Sequence, residues 1–182
     1  MESTPEAMER IHATFRRVLS DGLRQDAVSG ASGEQIAGLA AAQSVTNLPG
    51  ALHQVYHLIG ARSALWLAGS PFGTALDGRA AKSRALATLA RLGDPFADAS
   101  AMYVLVAYGE RTFHVIDGPD LSTDDPPVWL ISEDEAVIRG WDAVSEWFSA
   151  MAPDVGLYRE RLHLMRQSGD PAPPWARHLT GA

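Results

Sequence analysis

The chain has 182 residues, 46% hydrophobic and 20% charged, enough for one domain with a real core and too apolar for wholesale disorder. It contains no cysteine, which excludes disulfides, thiolate metal sites and a thiol nucleophile. A net charge of −7 disfavours nucleic acid and membrane surfaces as partners, and no apolar run approaches the ~18 residues of a membrane span.

In chain order, Thr4 caps a first helix with Pro5 at its first position and Glu6 in its first turn. Met8, Ile11, Phe15, Val18 and Leu19 give it one apolar stripe, and Gly22 and the Ser- and Gly-rich stretch 26–33 follow as a linker. Ser32 caps a second helix with Ile36, Leu39 and Ala40 facing inward. Leu48-Pro49 starts a third, with Leu52, Val55, Tyr56 and Ile59 on one side and Gly60 closing it. The short apolar run Ala64 to Ala68 reads as a strand. Asp77 caps a fourth helix through Leu92, with Ala81, Ala85, Leu86 and Leu89 inside, stopped by Gly93-Asp94-Pro95.

Met102 to Tyr108 and Thr112 to Ile116, joined by Gly109-Glu110, read as a β-hairpin. Val128 to Ile131 and Ala136 to Ile138 read as two further short strands around the turn 132–135. Trp141, Val144, Trp147, Phe148 and Met151 mark an amphipathic helix capped by Asp142, and Pro153-Asp154 opens a last one with Val155, Tyr158, Leu162 and Met165. From Ser168 the proline-rich tail offers little but Trp175 to pack. The predicted class is α+β, a largely antiparallel sheet meander with helices packed on one side. The divisions are 1–31 (helix and linker), 32–151 (main domain), 152–167 (last helix) and 168–182 (flexible tail).

Charge is unevenly placed. Asp117, Asp120, Asp124, Asp125, Glu133, Asp134 and Glu135 fall in one segment without a Lys or Arg, and elsewhere acids and bases balance. Such a segment steers a basic partner. Within it Trp129 follows Pro126-Pro127, and prolines at a strand start suit an edge strand, where a partner can dock. Trp66, Trp141 and Trp147 are expected in the core.

Catalytic motifs are largely missing. No glycine-rich phosphate loop and no Gly-x-Ser-x-Gly elbow occurs. His53 and His57 are spaced as in a helical zinc motif, but Gln54 stands where a general-base Glu is needed. The paired acids Asp124-Asp125 and Glu133-Asp134 lack the alternating spacing of a calcium loop. Residues 34–59 have a helix–turn–helix look, yet the second helix carries no Lys or Arg to meet phosphates. Arg79, Lys82, Arg84 and Arg91 form a basic face too thin for a nucleic-acid footprint. No cofactor and no metal is expected.

Four pieces together resemble the SUKH superfamily (the Smi/Knr-type domain). These are Ile36 to Leu39 leading to Leu48-Pro49 and the helix Tyr56 to Gly60; the hairpin 102–116; the proline-led strand Asp125-Pro126-Pro127-Val128; and the helix Trp141 to Met151 with Val144-Ser145 and Trp147-Phe148. The chain departs at Ile59, where the family often has Asn, and at Trp147-Phe148. The resemblance implies a non-catalytic domain that binds another protein. Many bacterial members look like immunity proteins that neutralise a toxin, often a nuclease, and a fungal branch resembles signalling scaffolds.

The expected function is therefore a cytoplasmic immunity-type protein that occludes a basic toxin through Asp117, Asp120, Asp124, Asp125, Trp129, Glu133 and Asp134. An intracellular regulatory scaffold binding a peptide at a sheet edge is the alternative. A metal-dependent hydrolase built on His53 and His57 is the remote one.

Overall fold

A computed structural model describes residues 4–67, 70–93, 95–133 and 136–181. The chain runs α1 (Thr4–Ser20), α2 (Gly33–Ala42), α3 (Gly50–Ile59), α4 (Gly78–Leu92), β1 (Tyr103–Tyr108), β2 (Thr112–Ile116), β3 (Val128–Ser132), β4 (Ala136–Trp141), α5 (Val144–Ala150) and α6 (Val155–Gln167). The α+β class holds, with a four-stranded antiparallel meander in the order β1-β2-β3-β4.

Helix starts follow local chemistry. Ser32 and Gln35 form a capping box on α2, the Gln35 N–H donating to Ser32 Oγ (3.2 Å) and the Ser32 N–H to Gln35 Oε1 (2.8 Å). Asp77 accepts from the Ala80 N–H and Asp154 from the Leu157 N–H, both at 3.0 Å, to cap α4 and α6.

Helices α1, α3 and α5 pack together on one side of the sheet. Ile11 and Val18, Leu52 and Val55, and Trp147 and Phe148 meet Leu105, Ile116 and Val128 there. Trp66 stacks on Phe148 with ring centroids 5.2 Å apart. Burying each of these large apolar side chains favours folding by roughly 1.5–3 kcal/mol. Strand alternation turns Val104, Phe113, Val115 and Ile131 into a second, smaller cluster under Ala81, Ala85 and Leu89 of α4.

The two sheet edges differ. On β1 the buried Gln43 amide acts as one extra peptide unit: its Nε2 donates to the Val104 carbonyl (2.9 Å) and its Oε1 accepts from the Val104 N–H (2.8 Å). Lys82 Nζ donates to the Gln43 carbonyl at 2.6 Å. Lys82 is buried, and burial lowers its pKa against the pull of Asp98, so it does not share the exposed basic face expected with Arg79. On β4, no strand pairs with the outer side among the described residues, and Ile138, Arg139 and Gly140 are exposed.

Four sequence expectations are corrected. Residues 64–67 form a turn, not a strand: Ala64 and Leu67 have φ of 47° and 56°, and the apolar run reflects burial of Leu65, Trp66 and Leu67; Ala68 lies outside the described residues. The proline-led strand β3 is interior, paired on both sides, because Pro126 and Pro127 precede the ladder and remove no bond from it. Asp142 does not cap α5; Ala143 holds that position. The tail is docked: Ala176 and Leu179 are buried, Leu179 pairs with Leu23, and the Arg24 N–H donates to the His178 carbonyl at 2.8 Å.

Candidate protein-docking edge

The acidic segment enters the fold with its carboxylates in different employment. Asp117, at the end of β2, is buried. Its Oδ1 accepts from the N–H groups of Gly118 (2.7 Å) and Asp98 (3.3 Å), and its Oδ2 from Ala97 (2.9 Å). It fastens the approach to β1 against the β2 exit. Asp125 reaches α5 from outside, its Oδ1 accepting from the Ser145 N–H (2.9 Å) and its Oδ2 from the Ser145 hydroxyl (2.6 Å). This loop carboxylate satisfies an orphan donor at the start of α5, which Ala143 has no side chain to satisfy. Glu133 bridges Arg91 of α4 (2.7 Å) and Arg111 of the hairpin turn (3.6 Å). Trp129 lies half-buried, edge-to-face with Phe96 at 5.3 Å. Asp134 lies outside the described residues.

Asp120 and Asp124 remain toward solvent. Asp124 is exposed, and its backbone carbonyl accepts from the Ala51 N–H at 2.9 Å. Asp120 lines a cleft of about 690 Å³ with Asp125, Arg10 of α1, Arg139 of β4, Asp142 and Glu146 of α5. Burial and the neighbouring Asp117 charge raise the Asp120 pKa, opposed by Arg139 and by the Trp129 indole N–H. That N–H is buried and reaches no acceptor at hydrogen-bond geometry, so its effect on Asp120 is a weak polar contact rather than a bond.

Two guanidiniums answer the four carboxylates. Arg139 Nε pairs with Asp142 Oδ1 at 2.9 Å, and Arg10 Nη1 meets Glu146 Oε1 at 3.4 Å. Glu146 Oε2 also accepts from the Asp142 N–H at 3.2 Å. The cleft keeps a negative surplus and opens beside β4, the unpaired edge. Asp142, Glu146, Arg139 and Arg10 escaped sequence reasoning because they lie outside the acidic segment, on α1, β4, α5 and the link between β4 and α5. No capping-box pattern pointed to Glu146, which lies four residues after Asp142, the cap expected from sequence, while the actual cap Ala143 has no side-chain oxygen to complete a box.

The other candidates stand apart from this cleft. His53 and His57 have ring centroids 4.7 Å apart, and burial, followed by the His57 charge, lowers the His53 pKa. Among the described residues no third His, Asp or Glu completes a group that could hold a metal ion with them. His114 is buried and pushed down to about 4 by burial, its Nδ1 accepting from Trp147 Nε1 at 2.9 Å. Buried Tyr56 and Tyr103 share a hydrogen bond of 2.9 Å, and burial raises Tyr103 to about 12. Neither pair offers a base at neutral pH in contact with solvent. No helix of the described residues is long and apolar enough to cross a membrane.

In comparisons with known proteins, no family model matches the chain, and no curated protein matches it either.

Proposed function

We propose that the protein is a non-catalytic, immunity-type domain that binds a basic protein along β4 and the adjoining acidic cleft. The observation that carries this reading is the meeting of an unpaired sheet edge with a cleft of surplus negative charge. An open edge supplies main-chain hydrogen-bonding groups, and the carboxylates select a cationic partner and speed its approach. A nuclease must be cationic where it grips its substrate, so a toxin of that kind fits the surface. The SUKH-like order of elements supports the same reading as a resemblance. The docking residues differ from those expected: Asp120, Asp142 and Glu146 with Ile138 of β4, not the whole acidic run.

The open β4 edge also favours a regulatory scaffold that takes up an extended peptide. The double variant Asp120→Lys/Asp142→Lys separates the two readings. Partner captured on immobilised wild-type protein is tested for its association rate across ionic strength. Electrostatic docking predicts a rate that falls with salt in the wild type and is low at all salt in the double variant. A salt-independent rate, equal in both proteins, overturns electrostatic docking and favours main-chain pairing at β4.

A further inference from the structure

A second cleft, of about 550 Å³, lies among three segments far apart in sequence: the chain after α1, the turn after α3 and the C-terminal 3-10 turn Pro174–His178. Backbone bonds hold these segments together. Ser29 and Arg62 exchange N–H···O bonds at 3.0 Å in both directions, and the Arg24 N–H donates to the His178 carbonyl. Gly30 permits this closeness, since a Cβ there would lie 1.8 Å from the His57 carbonyl oxygen.

Each segment brings an arginine. Arg24, Arg62 and Arg177 line the cleft with Asp26, Ser63 and His178. Asp26 engages Arg24 through both carboxylate oxygens, and Arg62 is anchored through Nε on Ser29 Oγ at 3.0 Å. Arg177 makes no hydrogen bond or ion pair among the described residues and is exposed. One carboxylate thus answers three guanidiniums. Their convergence is visible at His178, whose pKa is lowered by burial first and then by Arg177, Arg24 and Arg62. Like charges gathered around one cavity repel until an anion joins them.

A neighbouring cavity of about 470 Å³ shares Ala64, Arg177 and His178 as wall residues. Its walls include buried Leu65 and an edge-to-face pair, Tyr158 and Trp175, with centroids 5.1 Å apart. A single carboxylate needs one guanidinium fork, which Asp26 already illustrates. Asp26 occupies the Arg24 fork, which leaves Arg177 and the Nη groups of Arg62, and two converging guanidiniums fit an oxyanion with several acceptor oxygens such as phosphate. Beside it, two aromatic walls and a leucine favour a flat apolar group.

We propose that these adjoining cavities bind a phosphate ester bearing a flat ring, of the nucleoside mono- or diphosphate class, with phosphate between Arg62 and Arg177 beside the Asp26-paired Arg24, and the ring against Tyr158 and Trp175. The site does not depend on the acidic cleft or on its partner.

Calorimetric titration of the full chain with inorganic pyrophosphate, ADP and adenosine tests the assignment. ADP binds saturably and tighter than pyrophosphate, and adenosine binds most weakly. Arg177→Glu weakens both anions by about tenfold or more, as loss of a charged hydrogen-bond partner does. Trp175→Leu weakens ADP and leaves pyrophosphate unchanged. Saturating ADP also raises the titration midpoint of the His178 ring in NMR, because added negative charge offsets Arg177, Arg24 and Arg62 beyond what Asp26 does. No saturable heat with either anion, or equal binding by Arg177→Glu, overturns the site. ADP binding no tighter than pyrophosphate overturns the nucleotide class.

Discussion

The two clefts are built by opposite routes. The acidic one draws on a segment whose charge is concentrated in sequence, and folding consumes much of that charge: Asp117 ties the β2 exit, Asp125 caps α5 and Glu133 pairs with Arg91 and Arg111. The basic one gathers Arg24, Arg62 and Arg177, which nothing in the sequence connects, around one cavity. Charge that is dense along a chain can serve structure, and charge that is sparse along it can be dense in space. In each cleft burial first, and like charges after it, disfavour the charged form of one member, raising the Asp120 pKa and lowering that of His178.

The comparison breaks first if the consumed carboxylates are dispensable. Asp117→Ala leaves three N–H groups without their acceptor and costs about 3 kcal/mol in urea denaturation. Asp125→Ala removes both bonds to Ser145 and costs about 2 kcal/mol. A loss below about 0.5 kcal/mol for either would place it with the solvent-facing acids. Glu133→Ala, which breaks only partly exposed ion pairs, costs about 0.5 kcal/mol, and less at high salt.

Asp120→Asn sharpens the contrast by costing nothing at pH 7. Folding raises this carboxyl's pKa, so the ionised form is disfavoured in the native state, and its contribution improves only as pH falls toward the carboxylate range. On the basic side the sign is reversed. Folding lowers the His178 pKa, so its contribution is fully present above the ordinary value near 6.5 and is lost as pH falls. Arg177→Gln removes one of the crowding charges. The His178 midpoint followed by NMR rises toward, but does not reach, 6.5, because burial persists.

Much of the fold was legible. Among the described residues, periodicity found the six α-helices, caps at Ser32, Asp77 and Asp154 located three starts, and apolar β-rich runs found the four strands. The failures share one cause, tertiary contact overriding local pattern. Residues 64–67 are apolar because a turn is buried, and the tail is ordered because Leu179 and Ala176 enter the core beside Leu23. Asp142 looked like the α5 cap from its place in sequence, yet Asp125 does that work from 20 residues away. The candidate edge moved from β3 to β4 because strand order is a property of the whole sheet. Of the site, Asp120 was visible as part of an acidic run, whereas Arg10, Arg139, Asp142 and Glu146 converge only once α1, β4 and α5 pack.

On the proposed reading, the acidic cleft beside β4, rather than the acidic segment as a whole, recruits a basic protein. The most direct test of that reading is the association rate of the captured partner, followed against ionic strength, for wild type and Asp120→Lys/Asp142→Lys. The wild-type rate is expected to drop by about tenfold or more as salt rises from roughly 50 to 500 mM, and that of the double variant to stay slow and nearly flat. Equal rates for the two proteins at low salt would contradict it.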